Sequence, residues 1–263
     1  MLKRTLVLCF TMILILIMIS AVSVIIARQK VIRVGVDGFS APFSITNSFG
    51  DLSGYDVDII KAIAKKLDYK IEFKIIAFTG LENNLNNRLV DVVLAPMDSN
   101  TPENQSRNII YSKPYFFNYL TMMKIKGKKI KLNAEGDFEK NSMLCIPNKP
   151  FILNFVRTHY INTILKIYNG SNLAIDALYE NECDVIIDTK SSNEYYRTKH
   201  NLNKLEIKPI YSDDAYNHTY KIAMSIHRPD LFEQINKGLE HLIQTGEINK
   251  IHQKWFSSDY CKQ

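Results

Sequence analysis

The segment that most constrains this chain is IRVGVDGFSAPFSITNSFGDLSGYDVDIIKAIAKKL, residues 32–67. A short apolar strand, Ile32 to Val36, runs into Asp37 and a loop of aromatics and proline. A second turn, Gly50 to Gly54, opens a segment with apolar residues at Val57, Ile60, Ile63, Ala64 and Leu67. That spacing predicts a helix with one apolar face, and Asp56 and Asp58 favour its N-terminal end. A strand followed by a helix that packs back on it is a β-α unit. Asp37 then stands just past the carboxyl end of a strand, where open α/β sheets receive ligands.

Strand and helix signals go on alternating, which predicts an α/β fold. Strands are expected at 71–75, 92–94, 119–125, 143–146, 185–187 and 220–225. Helices are expected at 81–88, 151–160, 173–178 and 230–244, the last opened by Pro229 and stopped by Gly246. A final short helix carries Ile248, Ile251 and Trp255.

Ahead of this lie Lys3 and Arg4 and an uncharged run from Thr5 to Ala27. A basic n-region followed by an apolar stretch directs a chain to or across a membrane. As a helix the run would be ~34 Å long, enough to span a bilayer. Residues 1–27 are therefore read as a signal peptide or an uncleaved N-terminal anchor. The remaining chain, about 235 residues, is long enough for two modest domains.

The formal charge is +6 and its residues are interspersed, apart from Lys124, Lys126, Lys128, Lys129 and Lys131. That cluster reads as a solvated loop in preference to a docking surface. No nucleic-acid module, metal-ligand spacing or cofactor motif is present, and the scattered histidines suit surface or helix positions. Beyond the leader stand Cys145, Cys183 and Cys261. Cys145 ends one expected strand and Cys183 begins another. A bridge between them is one option, free thiols the favoured one, and an odd count leaves a thiol unpaired.

The motifs VGVDGFSAPF, SGYDVDIIKAIAKKL, LVDVVLAPM, YSKPYF and INKIHQKWF occur in one order along nearly everything after residue 30. In motif and order the chain resembles the bacterial extracellular solute-binding proteins of family 3, the periplasmic polar amino-acid-binding proteins of ABC transporters. The resemblance implies a two-lobe periplasmic-binding-protein-like fold of type II, its α/β lobes joined by a hinge crossed twice. Lobe 1 would be 31–120 plus 219–263 and lobe 2 would be 124–214. Hinge closure would trap a ligand in the cleft. It further implies a monomer in the periplasm, released or tethered by its N-terminal segment, with an ABC permease in the inner membrane as partner.

For the site, the resemblance aligns Asp37 with an acid that meets the ligand's distal polar group. Asp before Gly38 also suits a plain turn. Phe39 and Phe43 would line the cleft, Phe43 being equally at home in the core. Phe78 stands where relatives stack an aromatic on the ligand. Ala95, Pro96, Met97 and Asp98 replace the family's Ser-Gly-Met-Thr. Pro96 has no N–H to give. The carboxylate-binding Arg that follows Thr-Pro-Glu in the family is Asn104 here, so Arg107 either reaches in from a shifted position or is an exposed helix arginine. In lobe 2, Pro147-Asn148-Lys149-Pro150-Phe151 replaces a hydroxyl-rich turn, with Lys149 as a point charge in place of N–H donors. Counting from Asp184 puts Thr189 at the amino-group-binding position and Asp188 one residue early, facing the other way unless the local chain bends.

Asp37, Asp98 and Asp188 make the expected cleft acid-rich and favour a basic or amine-bearing ligand. Capture for an importer, without chemistry, is the reading preferred over a membrane-tethered sensor that has lost tight binding. Less favoured is a dehydratase, because no nucleophile–base spacing supports it.

Overall fold

A computed structural model describes residues 30–95, 108–130, 132, 138–210 and 218–256, with 11–13 and 15 in the N-terminal segment. Those four N-terminal residues are helical. Among the described residues no helix is long and apolar enough to cross a membrane.

The fold is two-lobed α/β, built on two five-stranded mixed sheets. In the first, β1 (Lys30–Val36) lies between β5 (Tyr69–Ile75) and β6 (Val92–Val93), parallel to both. Next to β6 comes antiparallel β13 (His218–Ser225), then β7 (Ile109–Asn118) at the edge. In the second, β9 (Met143–Pro147) lies parallel between β10 (Ile164–Tyr168) and β11 (Val185–Thr189). The sheet continues to β8 (Leu120–Ile125) and edge strand β12 (Leu205–Pro209), both pairings antiparallel. A small sheet of β2 (Phe39–Ser40), β3 (Ser44–Thr46) and β4 (Leu52–Ser53) folds the loop after Asp37. The chain leaves the first sheet at Asn118 and enters the second at Leu120.

Helix α1 (Tyr55–Leu67) buries Ile59, Ile60, Ile63 and Ala64 against the first sheet and α6 (Pro229–Gln244). Each fully buried Ile contributes about 1.5–3 kcal/mol. Asp56 and Asp58 occupy its first turn and Lys65 and Lys66 its last, matching the helix dipole. Gly54 precedes it at φ 138°, where a Cβ would meet the Phe43 carbonyl oxygen at 2.0 Å. Only glycine lets the chain enter here. The opposite face of this sheet is covered by α2 (Leu81–Asn86), which packs Leu81 and Leu85 on Val93 and Ala223. That helix ends before the expected boundary, and Arg88 adopts a left-handed turn at φ 57°.

The second sheet is covered by α3 (Pro150–His159) on one face and α4 (Ser171–Tyr179) on the other. Helix α5 (Lys190–Lys199) was not anticipated from the sequence. Its buried positions are Ser191, Ser192 and Asn193, so it has no apolar stripe to read. Strands β7, β10 and β12 and the small sheet were likewise missed; β7 carries Pro114 and register shifts in its pairing with β13. A last helix, α7 (Glu247–Trp255), packs Ile248, Ile251 and Trp255 on the first core.

Two expectations are corrected. Cys145 and Cys183 form a disulfide, with Cα atoms 5.8 Å apart. The parallel pairing of β9 with β11 brings the two positions together, a proximity set by topology and not by spacing. Cys261 lies outside the described residues. In the lysine cluster, Lys124 is not solvated. Its side chain is buried, pairs with Glu206 at 2.9 Å and donates to the Lys128 carbonyl. Lys128 pairs with Asp184 at 3.2 Å, and Lys131 lies outside the described residues.

Candidate ligand cleft

A cavity of about 650 Å³ opens between the two sheets. Its walls are the loops at the carboxyl ends of parallel strands. Asp37, Phe39, Ser40, Ala41 and Phe43 come from the loop after β1; Pro147 ends β9 and Asn148 to Phe151 follow it; Asn169 to Asn172 follow β10; Thr189 ends β11 and Ser192 lies just beyond it. Thr79, Tyr196 and Tyr220 complete it. Both sheets thus contribute the positions where α/β folds receive ligands.

Asp37 is buried and held by its own loop. Its Oδ1 accepts from the backbone N–H groups of Phe39 and Ser40, at 3.2 Å each, and from the Ser44 hydroxyl; its Oδ2 accepts from the Ser40 hydroxyl. It is therefore both the turn residue and a wall residue. These donors are neutral, so the carboxylate's charge still faces the cavity. Phe39 stands exposed at the rim, 82% accessible. Phe43 is a core residue whose ring forms part of the floor. It sits edge-on to Phe116 and Tyr220, with ring centroids 5.0 and 5.1 Å away.

Across the cavity, Lys149 places its ammonium 2.8 Å from Asp188 Oδ1 and 3.2 Å from the Ser192 hydroxyl. Asp188 is fully buried and does not itself line the cavity; Thr189 does. Thr189 N donates to Asp188 Oδ1 at 2.7 Å, and the Ser171 hydroxyl donates to Oδ2 at 2.6 Å. The Thr189 side chain also caps α5, accepting from Ser192 N. The N-termini of α3, α4 and α5 all border this wall. Each carries the partial positive charge of a helix start.

The other expected site residues divide. Ala95 packs into the core with Leu81, Leu85 and Val93 and does not line the cavity. The Phe78 backbone opens a 3-10 turn beside lining residue Thr79; its side chain, with Met97, Asp98 and Arg107, lies outside the described residues. Ser40, Ser171, Ser192, Tyr196 and Tyr220 were missed. The Thr189-to-Ser192 spacing is a helix N-cap signature and was a readable signal for one of them.

Beneath the lobe 1 wall lies a buried carboxyl, Asp56. Burial pushes it up to about 7, aided by the charge of Asp37 and opposed by the hydrogen bond that Tyr115 donates at 2.8 Å. Its Oδ2 has no hydrogen-bond partner. Where the sheets meet, the Asn118 amide donates to Ser191 Oγ at 2.7 Å and to Tyr220 Oη at 3.0 Å, tying α5 to β13. Among the described residues no group of three or more His, Cys, Asp or Glu side chains is placed to hold a metal.

Two α/β lobes with a cleft between them define a solute-binding architecture. The chain matches the bacterial extracellular solute-binding proteins, family 3, over residues 32–258 and belongs to that family. It is 30% identical over 244 residues to a probable histidine-binding protein of Neisseria gonorrhoeae, covering 88% of this chain and 84% of that one. It is 25% identical over 242 residues to the L-cystine-binding protein TcyJ of Bacillus subtilis, covering 90% and 87%. An ancestral arginine-binding protein bound to arginine matches in structure with a TM-score of 0.70 at 27% identity, covering 87% and 99%.

Proposed function

We propose that this chain captures a small amino-acid-class ligand between its lobes, outside the cytoplasmic membrane, and delivers it to the permease of an ABC importer. The observation that carries the reading is the cavity bounded by Asp37 on one lobe and Lys149 on the other. Its volume falls within the ~300–1,000 Å³ usual for small-molecule sites, and opposed charges suit a ligand polar at both ends. Relatives named for histidine, cystine and arginine support the ligand class. The lobes are taken as 31–120 with 219–263, and 124–214. Closure about Asn118 would bring Asp37, Phe39 and Phe43 toward Lys149 with the ligand between them. Asp37, the carboxylate that keeps its charge, would meet a distal amine. Phe78, Met97, Asp98 and Arg107 would add contacts from the segments that flank the cleft. The cleft performs binding and no chemistry, and residues 1–27 export or tether the protein.

The test is a thermal-shift and calorimetric screen of residues 30–263 against amino acids and close derivatives. A ligand at 100 times its Kd stabilises the folded state by about 2.7 kcal/mol. A rise in Tm with at least one compound, reduced in Asp37→Asn and Phe39→Ala, is expected. A flat response across the panel would refute the reading.

A further inference from the structure

Among the described lining residues, the charged side chains are Asp37 and Lys149. The two carry different electrostatic consequences. Asp37 is satisfied by neutral hydroxyl and amide donors, so a net negative charge remains on the lobe 1 wall. Asp188 is satisfied by an ammonium, so that pair is neutral. A carboxylate has about four lone-pair sites. Both of those on Asp188 Oδ1 are taken, by Lys149 Nζ and Thr189 N, and Oδ2 accepts from the Ser171 hydroxyl.

A second ammonium brought to this wall would find Asp188 already occupied and Lys149 repelling it. An anion would fare better. The Lys149 ammonium has three N–H donors. Two are used, on Asp188 and Ser192, which leaves one for the cavity that Lys149 lines. The starts of α3, α4 and α5 add positive ends around it.

We infer that Lys149 is an internal ammonium seated on Asp188, and that the cleft selects small carboxylic acids with no free ammonium on the carbon next to the carboxylate. This rests on the cleft reading above and narrows its ligand class. The ligand carboxylate docks on Lys149. Its far end points to Asp37, where a distal amine or other hydrogen-bond donor is favoured. Free α-amino acids bind less well, since their α-ammonium would lie beside Lys149 with the Asp188 carboxylate already paired.

The experiment compares matched triplets by calorimetry on residues 30–263: lysine, Nα-acetyl-lysine and 6-aminohexanoate; leucine, N-acetyl-leucine and 4-methylpentanoate; glutamate, N-acetyl-glutamate and glutarate. Within the triplet that binds, an acetylated or des-amino member should bind about tenfold or more tighter than the free amino acid. Lys149→Ala should reverse that order, because the ligand's own ammonium then occupies Asp188. The double variant Lys149→Met with Asp188→Asn, free of an unpaired buried charge, should abolish the discrimination. A wild-type protein that binds the free amino acid most tightly would overturn this inference and leave the cleft reading intact, whether or not the variants fold. So would a Lys149→Ala protein with an unchanged order. Binding of no member of any triplet and of no compound in the wider screen above would overturn both.

Discussion

The two walls of the cleft solve one problem in two ways. Each buries a carboxylate at the end of a parallel strand. On lobe 1, Asp37 is held by the amides and hydroxyls of its own loop, all within seven residues. On lobe 2, Asp188 is held by partners from three elements, one of them the cation Lys149, 39 residues away. The first arrangement is local and keeps its charge; the second is tertiary and neutral. Lobe 1 can therefore attract a cationic group, while lobe 2 has spent that capacity on its own chain. The lobes also differ in how they are secured. Lobe 2 carries the disulfide, and lobe 1 carries the half-satisfied carboxyl of Asp56.

The sharpest way to break this contrast is Asp188→Ala. It leaves the partly exposed Lys149 ammonium and the Ser171 hydroxyl without their carboxylate and should cost about 2–3 kcal/mol of stability. Urea denaturation measures it, and a loss no larger than that of Asp37→Ala would erase the distinction between the walls.

Asp56 should impose a pH dependence on lobe 1. Its carboxyl is raised from 3.8 to about 7 in the folded protein, so the folded state binds the extra proton between those values. The stability this provides is complete below pH about 4, declines as pH rises to about 7 and is constant above. At ~1.4 kcal/mol per unit, the change is on the order of 4 kcal/mol. Asp56→Asn should flatten that slope in denaturation curves taken from pH 4 to 8; an unaltered slope would remove Asp56 as its source.

Replacing Cys145 and Cys183 by Ser should destabilise lobe 2 by about 2–4 kcal/mol, for a closure of 38 residues. Hydrogen exchange should place the loss in β9 to β11 and leave β1 and β5 protected. Loss spread evenly over both lobes would mean that they unfold as one unit.

Asp37→Asn should have the smallest effect on stability, about 1 kcal/mol or less, since neutral donors can bond an amide. It should weaken an amine-bearing ligand about tenfold. An unchanged Kd would make Asp37 a turn residue only.

What was legible in the sequence follows from the range of each interaction. Helix α1 was readable because its apolar face repeats at helical spacing against a single core. Helix α5 was not, because the face it buries is polar and is satisfied by Asn118 and Thr121 on distant strands. Asp37 was readable as a turn and as a strand-end residue, and it is both. Asp188 was readable only as a residue one position out of register; nothing near it in sequence announces Lys149.

The sequence by itself determined the two-lobe α/β fold, its family and the loop in which Asp37 sits. Periodicity, glycine placement and local hydrogen bonding act over a few residues and are written consecutively. Only the tertiary structure decided that Cys145 meets Cys183, that Ala95 and Phe43 belong to the core, and that Lys149 lies on Asp188. Those outcomes depend on which strands pair and which loops face one another. The charge of the lobe 2 wall is therefore a property of the folded chain, set by desolvation and by partners 17 and 39 residues away.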